Sequence, residues 1–383
     1  MVLYLLLAVA ISAKCSTRKP VVLIHGILSS VLEAEVNIPD DLEMPEDCAR
    51  QRDNFRVWQV AEDLNPKKNR CLLKYMTPVY NTETGVLEDL EGVNVTVPQF
   101  GSTYSSSCLD PGMLTCSLTE YFRPLIKKLN KLGYVDGVDL YGAPYDWRYT
   151  GGDFYAKRLE NLLKSIKEKT GKKAVLVSHS MGCPVTFDAL SKFNPEDYVE
   201  RWVTVGGAWL GAVELLNEVL NGIDGVPVPK DMTIDLVRHI PAMFYMTPRG
   251  EQITGELVKV GNDVYTVDNI GDLYEKLPGM EVYGKKLYNE IKPTAPIIKK
   301  APVKVYCTFS DGFETPRRLE GSDVYSSFNV TYDNGDGVVN IESLQFCNTP
   351  GFAEEVKYFG KYQHKGLLGE QVLVDYLQPM ICE

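Results

Sequence analysis

Ala174-Val175-Leu176-Val177-Ser178-His179-Ser180-Met181-Gly182 is the stretch whose reading decides the fold. Its first four residues are apolar and read as a short buried strand. The strand breaks into a turn that carries a serine, and Pro184 to Phe193 reads as the helix that follows. Ser178 and Gly182 stand two before and two after Ser180, and both are small. A tight strand-to-helix turn needs small residues there, because it brings neighbouring backbone close to its centre. Such a turn lifts the Ser180 hydroxyl off the carboxyl edge of a sheet. It also aims the Met181 backbone N–H at the place where an oxyanion would form. An S-x-S-x-G run also arises by chance in serine-rich loops, so the reading rests on its surroundings.

Outward from this stretch, strand and helix alternate. Asp153 to Thr170 is an amphipathic helix rich in Lys and Glu and stopped by Gly171. Trp202 to Val205 is the next strand, Val138 to Tyr141 an earlier one, and Leu118 to Leu132 has helical spacing up to Gly133. That alternation, from 120 to 206, predicts a parallel, doubly wound sheet. Val303 to Phe309 reads as a late strand of it. Pro20-Val21-Val22-Leu23-Ile24-His25-Gly26 is a strand ending in a glycine turn. The loop beyond it is placed to supply a second oxyanion N–H, and Ile27 is the candidate donor. A serine elbow and a glycine turn on such a sheet predict an α/β-hydrolase fold over residues 19–383.

Two stretches interrupt the rhythm. Residues 37–75 have no strong periodicity and contain Cys48, Trp58 and Cys71, which reads as an insertion closed by a disulfide. Residues 207–295 are rich in Gly, Pro, Met, Tyr and Val and read as a lid or cap. An exposed apolar lid would bind a lipid or a membrane surface; a buried one would be cap core.

The chain has 383 residues, 44% hydrophobic and 24% charged, with net charge −11. No basic stripe is present, so a nucleic-acid partner is not expected, and a monomer is compatible with the composition. Val2 to Ala13 is apolar but too short to span a bilayer. It reads as the h-region of a signal peptide over 1–13, the competing reading being a buried first strand. Nine cysteines suit an oxidising compartment. The sequons Asn94-Val95-Thr96 and Asn329-Val330-Thr331 suit the secretory route, so the expected location is secreted or in the lumen of the endomembrane and lysosomal system.

A serine hydroxyl needs a base within hydrogen-bond reach and an acid to hold that base's tautomer. Only four histidines are present. His179 lies inside the elbow and cannot turn back on Ser180. His25 precedes the nucleophile, where this fold does not place its base, and reads as structural. His239 lies in the lid segment. His364 remains as the base. For the acid, Asp336 sits between two glycines on a turn continued by apolar chain, with Asp333 and Asp311 as rivals. No metal or cofactor is called for.

With these residues in hand, the chain resembles the lecithin–cholesterol acyltransferase family, which includes lysosomal phospholipase A and the phospholipid:diacylglycerol acyltransferases. The similarity runs from about 19 to 380. It is carried by Pro20–Gly26 through Leu32-Glu33-Ala34, by Gly142-Ala143-Pro144-Tyr145-Asp146-Trp147-Arg148, by Ser178–Gly182, by Asn334–Val339 and by His364. The resemblance implies Ser180, Asp336 and His364 as a triad, with Ile27 and Met181 as oxyanion donors. It implies disulfides Cys48–Cys71 and Cys307–Cys347, Trp58 lining an acyl site, and Trp209 near the acceptor site. Tyr145 to Arg148 would be structural, near the active-site rim. The chain departs from the family at Gly206-Gly207-Ala208-Trp209-Leu210-Gly211. It also departs at Ile27, where the lysosomal enzymes have an aspartate, and in the acidic run Asp40 to Asp47. Of the other cysteines, Cys108 and Cys116 flank a Pro-Gly turn, Cys15 and Cys382 would join the termini, and Cys183 would be a free thiol beside the elbow; their pairing stays open.

The expected function is a serine-dependent phospholipid acyl hydrolase or O-acyltransferase. It would pass a fatty acyl group to water or a lipid alcohol at a membrane or lipoprotein surface. A lipase or esterase on small or neutral esters, and an inactive lipid-binding protein, are the alternatives.

Overall fold

The computed structural model describes residues 15–382 apart from 60–64, 111, 113, 227 and 295–299. The signal-peptide reading of 1–13 lies outside the described residues. Six strands form the central sheet: β1 (Val21–Ile24), β2 (Leu140–Gly142), β3 (Ala174–His179), β4 (Val199–Val205), β5 (Val305–Phe309) and β6 (Glu355–Tyr358). Their spatial order is β6-β5-β4-β3-β1-β2, and every pairing is parallel. This is an α/β-hydrolase fold.

The strands are apolar because helices cover both faces. All four residues of β1 and all six of β3 are buried. Alternate side chains enter two cores. Val21, Leu23, Val175 and Val177 join the core formed with α1 (Arg123–Lys131) and the C-terminal helix. Val22, Ile24 and Leu176 join the other, with α2 (Gly152–Thr170) and α3 (Gly182–Leu190). Helix α2 buries Tyr155, Ala156, Leu159, Leu163 and Ile166, a stripe at helical spacing. It stops at Gly171, whose φ of 70° is left-handed and whose N–H caps the Lys167 carbonyl at 2.8 Å.

Several boundaries move relative to the sequence reading. The helix expected from Leu118 begins at Arg123, because the preceding chain is held by a Cys108–Glu120 bridge and a short 3-10 turn at Thr115–Ser117. The strand expected at 138–141 lies at 140–142, after a turn at Gly137. The post-elbow helix starts at Gly182 and ends at Leu190. Strand β6 was not legible: Glu-Val-Lys-Tyr sits at the sheet edge with three exposed residues.

The first interruption carries regular structure. Strands Glu33–Asn37, Gln51–Arg56 and Val93–Thr96 form a three-stranded sheet, and helix Pro66–Met76 is tied to the loop between the first two of these strands by the Cys48–Cys71 disulfide. The second contains α4 (Val213–Asn221) and further helices. It is joined to later chain, because Val258–Val260 pairs in parallel with Phe313–Gly321 in a four-stranded sheet that ends at Asn329–Gly335. Disulfides also link Cys15 to Cys382, Cys108 to Cys116 and Cys307 to Cys347. The sequon residues Asn94 and Asn329 are both exposed. Among the described residues no helix is long and apolar enough to cross a membrane.

Helix α4 buries an acid. Glu218 is 9% exposed, and its Oε2 has no hydrogen-bond partner among the described residues. Burial, then the neighbouring Glu214 and Asp224, hold its carboxyl well above the usual range. Burial, reinforced by Asp224 and opposed by Asn217 and Lys230, pushes Glu214 up to about 7. Both groups therefore bind protons more tightly folded than unfolded. Stability falls as pH rises from the ordinary 4.5 through about 7. Glu218→Gln should raise Tm by about 2–4 °C at pH 7.5 and little at pH 4.5 in thermal scans. An equal shift at both pH values would refute the assignment.

Candidate active site

Ser180 follows β3 with φ of 58°, a left-handed conformation that a non-glycine residue adopts only where its surroundings hold it. Its N–H donates to Val205 at the end of β4, 3.1 Å away. The flanking residues explain the small-residue pattern. A Cβ on Gly182 would strike the His25 carbonyl, and one on Gly26 would lie 2.7 Å from the Ser180 Cβ. Ser178 is buried and accepts the Trp202 indole N–H at 2.7 Å, while its hydroxyl contacts Cys183 Sγ at 3.3 Å.

His364 and Asp336 are brought together. His364 Nδ1 lies 2.6 Å from Asp336 Oδ2, and the His364 backbone N–H donates to the Asp336 carbonyl at 2.8 Å. Asp336 is 1% exposed, and its Oδ1 accepts the N–H groups of Val338 and Val339. Both carboxylate oxygens are thus engaged. The rivals are engaged elsewhere: Asp333 is exposed and turns onto Asn334, and Asp311 binds Tyr358 and Asn334. The His364 ring abuts the end of β4, since a Cβ on Gly206 would lie 3.3 Å from its Nδ1. Its Nε2 is buried without a hydrogen-bond partner among the described residues. A cavity of about 540 Å³ opens beside it, lined by Tyr121, Pro124, Asp336, Val338 and His364 among others.

Neither the Ile27 nor the Met181 N–H donates to a protein acceptor among the described residues. The Ile27 loop is held firmly. Leu28 has φ of 58°, Trp58 donates its indole N–H to the Leu28 carbonyl at 3.0 Å, and Ser29 Oγ donates to the Ile27 carbonyl at 2.6 Å. Trp58 is 2% exposed and packs on Trp147. Trp209, expected near an acceptor, is fully buried among Trp202, Phe346 and Phe352 and presents no surface to the site.

The Gly142–Arg148 motif supports this loop from behind. Tyr145 stacks on His25 with centroids 4.4 Å apart; its N–H donates to His25 Nε2 and its hydroxyl to the His25 carbonyl. His25 Nδ1 then donates to the Gly26 carbonyl, 2.7 Å away. Burial pushes His25 down to about 4 despite these bonds, so it stays neutral. The Ser30 hydroxyl donates to the Tyr145 carbonyl, and the Trp147 indole donates to the Ser30 carbonyl. Arg148 is fully buried. It meets Asp146 through two nitrogens, Asp89 at 2.7 Å and the Met76 carbonyl at 2.9 Å. Asp89 had no signal in the sequence, because it lies far from Arg148 along the chain. Among the described residues, the one cluster of metal-ligand type is Asp47, Cys48 and Cys71, whose cysteines are spent in a disulfide.

Residues 54–270 match the lecithin:cholesterol acyltransferase family. The chain belongs to that family. It is 26% identical over 370 residues to the bovine (Bos taurus) protein named lysosomal phospholipase A and acyltransferase, covering 91% of this chain and 86% of that one. It is 28% identical to the human (Homo sapiens) protein of the same name, covering 86% and 81%. It is 26% identical to the human phosphatidylcholine-sterol acyltransferase, covering 86% and 76%. This chain is an enzyme of the same family.

Cys183 is the free cysteine, fully buried beside the elbow. Burial pushes its thiol up to about 12 against the Ser178 contact. The native protein should therefore titrate no thiol with Ellman's reagent at pH 8, and one in guanidinium without reductant. A native thiol that reacts within minutes would contradict this burial.

Proposed function

We propose that Ser180 attacks a fatty-acyl ester of a phospholipid and forms an acyl-enzyme. His364 accepts the serine proton through Nε2 and returns it to the leaving alcohol. Asp336 holds the Nδ1–H tautomer and stabilises the imidazolium. The Ile27 and Met181 amides bind the tetrahedral oxyanion. Water or a lipid alcohol then takes the acyl group.

The observation that carries this reading is the 2.6 Å bond between His364 and a fully engaged, buried Asp336, with Nε2 left free among the described residues; Ser180, on a strained turn, makes no hydrogen bond to it. The relatives' names supply the substrate class. Leu114 and Leu118, each 81% exposed on and just beyond the Cys108–Cys116 turn, offer apolar contacts to a lipid surface. Four disulfides suit a secreted or lumenal location.

The test is acyl-labelled phosphatidylcholine in vesicles, with and without a long-chain alcohol or sterol. Wild type should release labelled fatty acid, or label the alcohol where transfer dominates. Ser180→Ala and Asp336→Asn should lose about 10³-fold or more in kcat. Turnover of short soluble esters alone would favour the esterase reading. Lipid binding without turnover by wild type, or undiminished turnover by Ser180→Ala, would overturn the proposal.

A further inference from the structure

His179 and Tyr121 are buried beside the site, and the triad uses neither. Tyr121 is 7% and His179 1% exposed. The Gly26 N–H donates to the Tyr121 hydroxyl at 3.0 Å, and that hydroxyl is hydrogen-bonded to His179 Nδ1. His179 Nε2 lies 3.1 Å from the His364 carbonyl, with the two rings 4.4 Å apart.

The proton positions follow from a single group. A carbonyl can only accept, so His179 Nε2 must carry a proton. Burial, followed by the neighbouring His364, drives the His179 pKa far down, so the ring is neutral. Its Nδ1 is then an acceptor, and Tyr121 must donate to it. The Tyr121 oxygen is left to accept from Gly26. Every polar atom of the chain is satisfied in one direction, Gly26 to Tyr121 to His179 to His364. Reversing any one bond would leave a buried group unpaired.

The chain's two ends are what the mechanism must keep in register. Gly26 precedes Ile27, the proposed oxyanion donor. His364 is pinned on both sides: its N–H by the Asp336 carbonyl and its C=O by His179. Asp336 sets the rotation of the ring, and the His179 bond sets the peptide plane that carries it.

We propose that Tyr121 and His179 are positioning residues that hold the oxyanion loop and the loop carrying the base in mutual register. The proposal rests on the roles given above to Ser180, Ile27 and His364. It predicts a loss in kcat per competent site, since Tyr121 acts through the Gly26 N–H and His179 through the His364 carbonyl.

The test uses hydrolysis of p-nitrophenyl butyrate, with competent sites counted by titration with diethyl p-nitrophenyl phosphate. Tyr121→Phe removes one hydroxyl, and His179→Leu removes both ring nitrogens. Each should lower kcat per titrated site by about 10- to 100-fold with KM within about twofold. His179→Gln, which keeps a donor within reach of the His364 carbonyl, should recover most of the loss. The double variant Tyr121→Phe with His179→Leu should be no worse than the poorer single one, because the pair acts as one unit. Unchanged kcat per titrated site overturns the proposal, even if fewer sites titrate, because the residues would then be merely structural. Ser180→Ala is the control for the underlying reading. If it still reacts with the titrant, the nucleophile assignment has failed rather than the positioning role.

Discussion

The site depends on how closely the chain after β3 approaches the chain after β1. The two strands pair in register from Val21 with Val175 to Ile24 with Ser178, so both turns leave the sheet at the same level. No side chain fits between them. Gly182 faces the His25 carbonyl, and Gly26 faces the Ser180 side chain. The strained φ of Ser180 costs on the order of 1–3 kcal/mol, which the packed strands on either side impose. This is also where strand order reverses, with β2 beyond β1 and β4 beyond β3, the place where open α/β sheets leave a crevice. The proposed nucleophile and oxyanion donors are thus set by backbone geometry, before any catalytic side chain is considered.

Buried polar groups keep that geometry rigid. His25 could be mistaken for a base, yet both of its ring nitrogens are engaged, by Gly26 and Tyr145. Arg148 ties its own segment, where Asp146 holds it, to two distant ones, through Asp89 and Met76. Burial works against its charge, and the two carboxylates outweigh that cost. Losing one partner of such a network typically costs about 3–5 kcal/mol, because an uncompensated charge stays buried. The family motif at 142–148 is therefore the wall against which the loop at Ile27 rests.

What could be read in the sequence was what is local or exclusive. The elbow strand, α2 and its Gly171 stop depend on neighbours a few residues apart. With four histidines, setting aside three left His364, which the structure places against Asp336. What could not be read depends on long-range meetings. Tyr121 reaches Gly26 and His179 across 95 and 58 residues. Asp89 meets Arg148 without any spacing signal. Trp209 reads like a site aromatic, and only the packing of Trp202, Phe346 and Phe352 around it makes it core. Within the segment at 207–295, read as a lid or cap, the small sheet had no signal for the same reason: it is completed by chain that comes after β5.

The response of stability to pH is set away from the site. The buried Glu214 and Glu218 favour lower pH, because ionising them in place costs desolvation. Both lie on α4, within the segment at 207–295, while His364 lies on a separate loop near the C terminus. Rising pH therefore works on the packing of α4, on a different element from the bonded pair of His364 and Asp336.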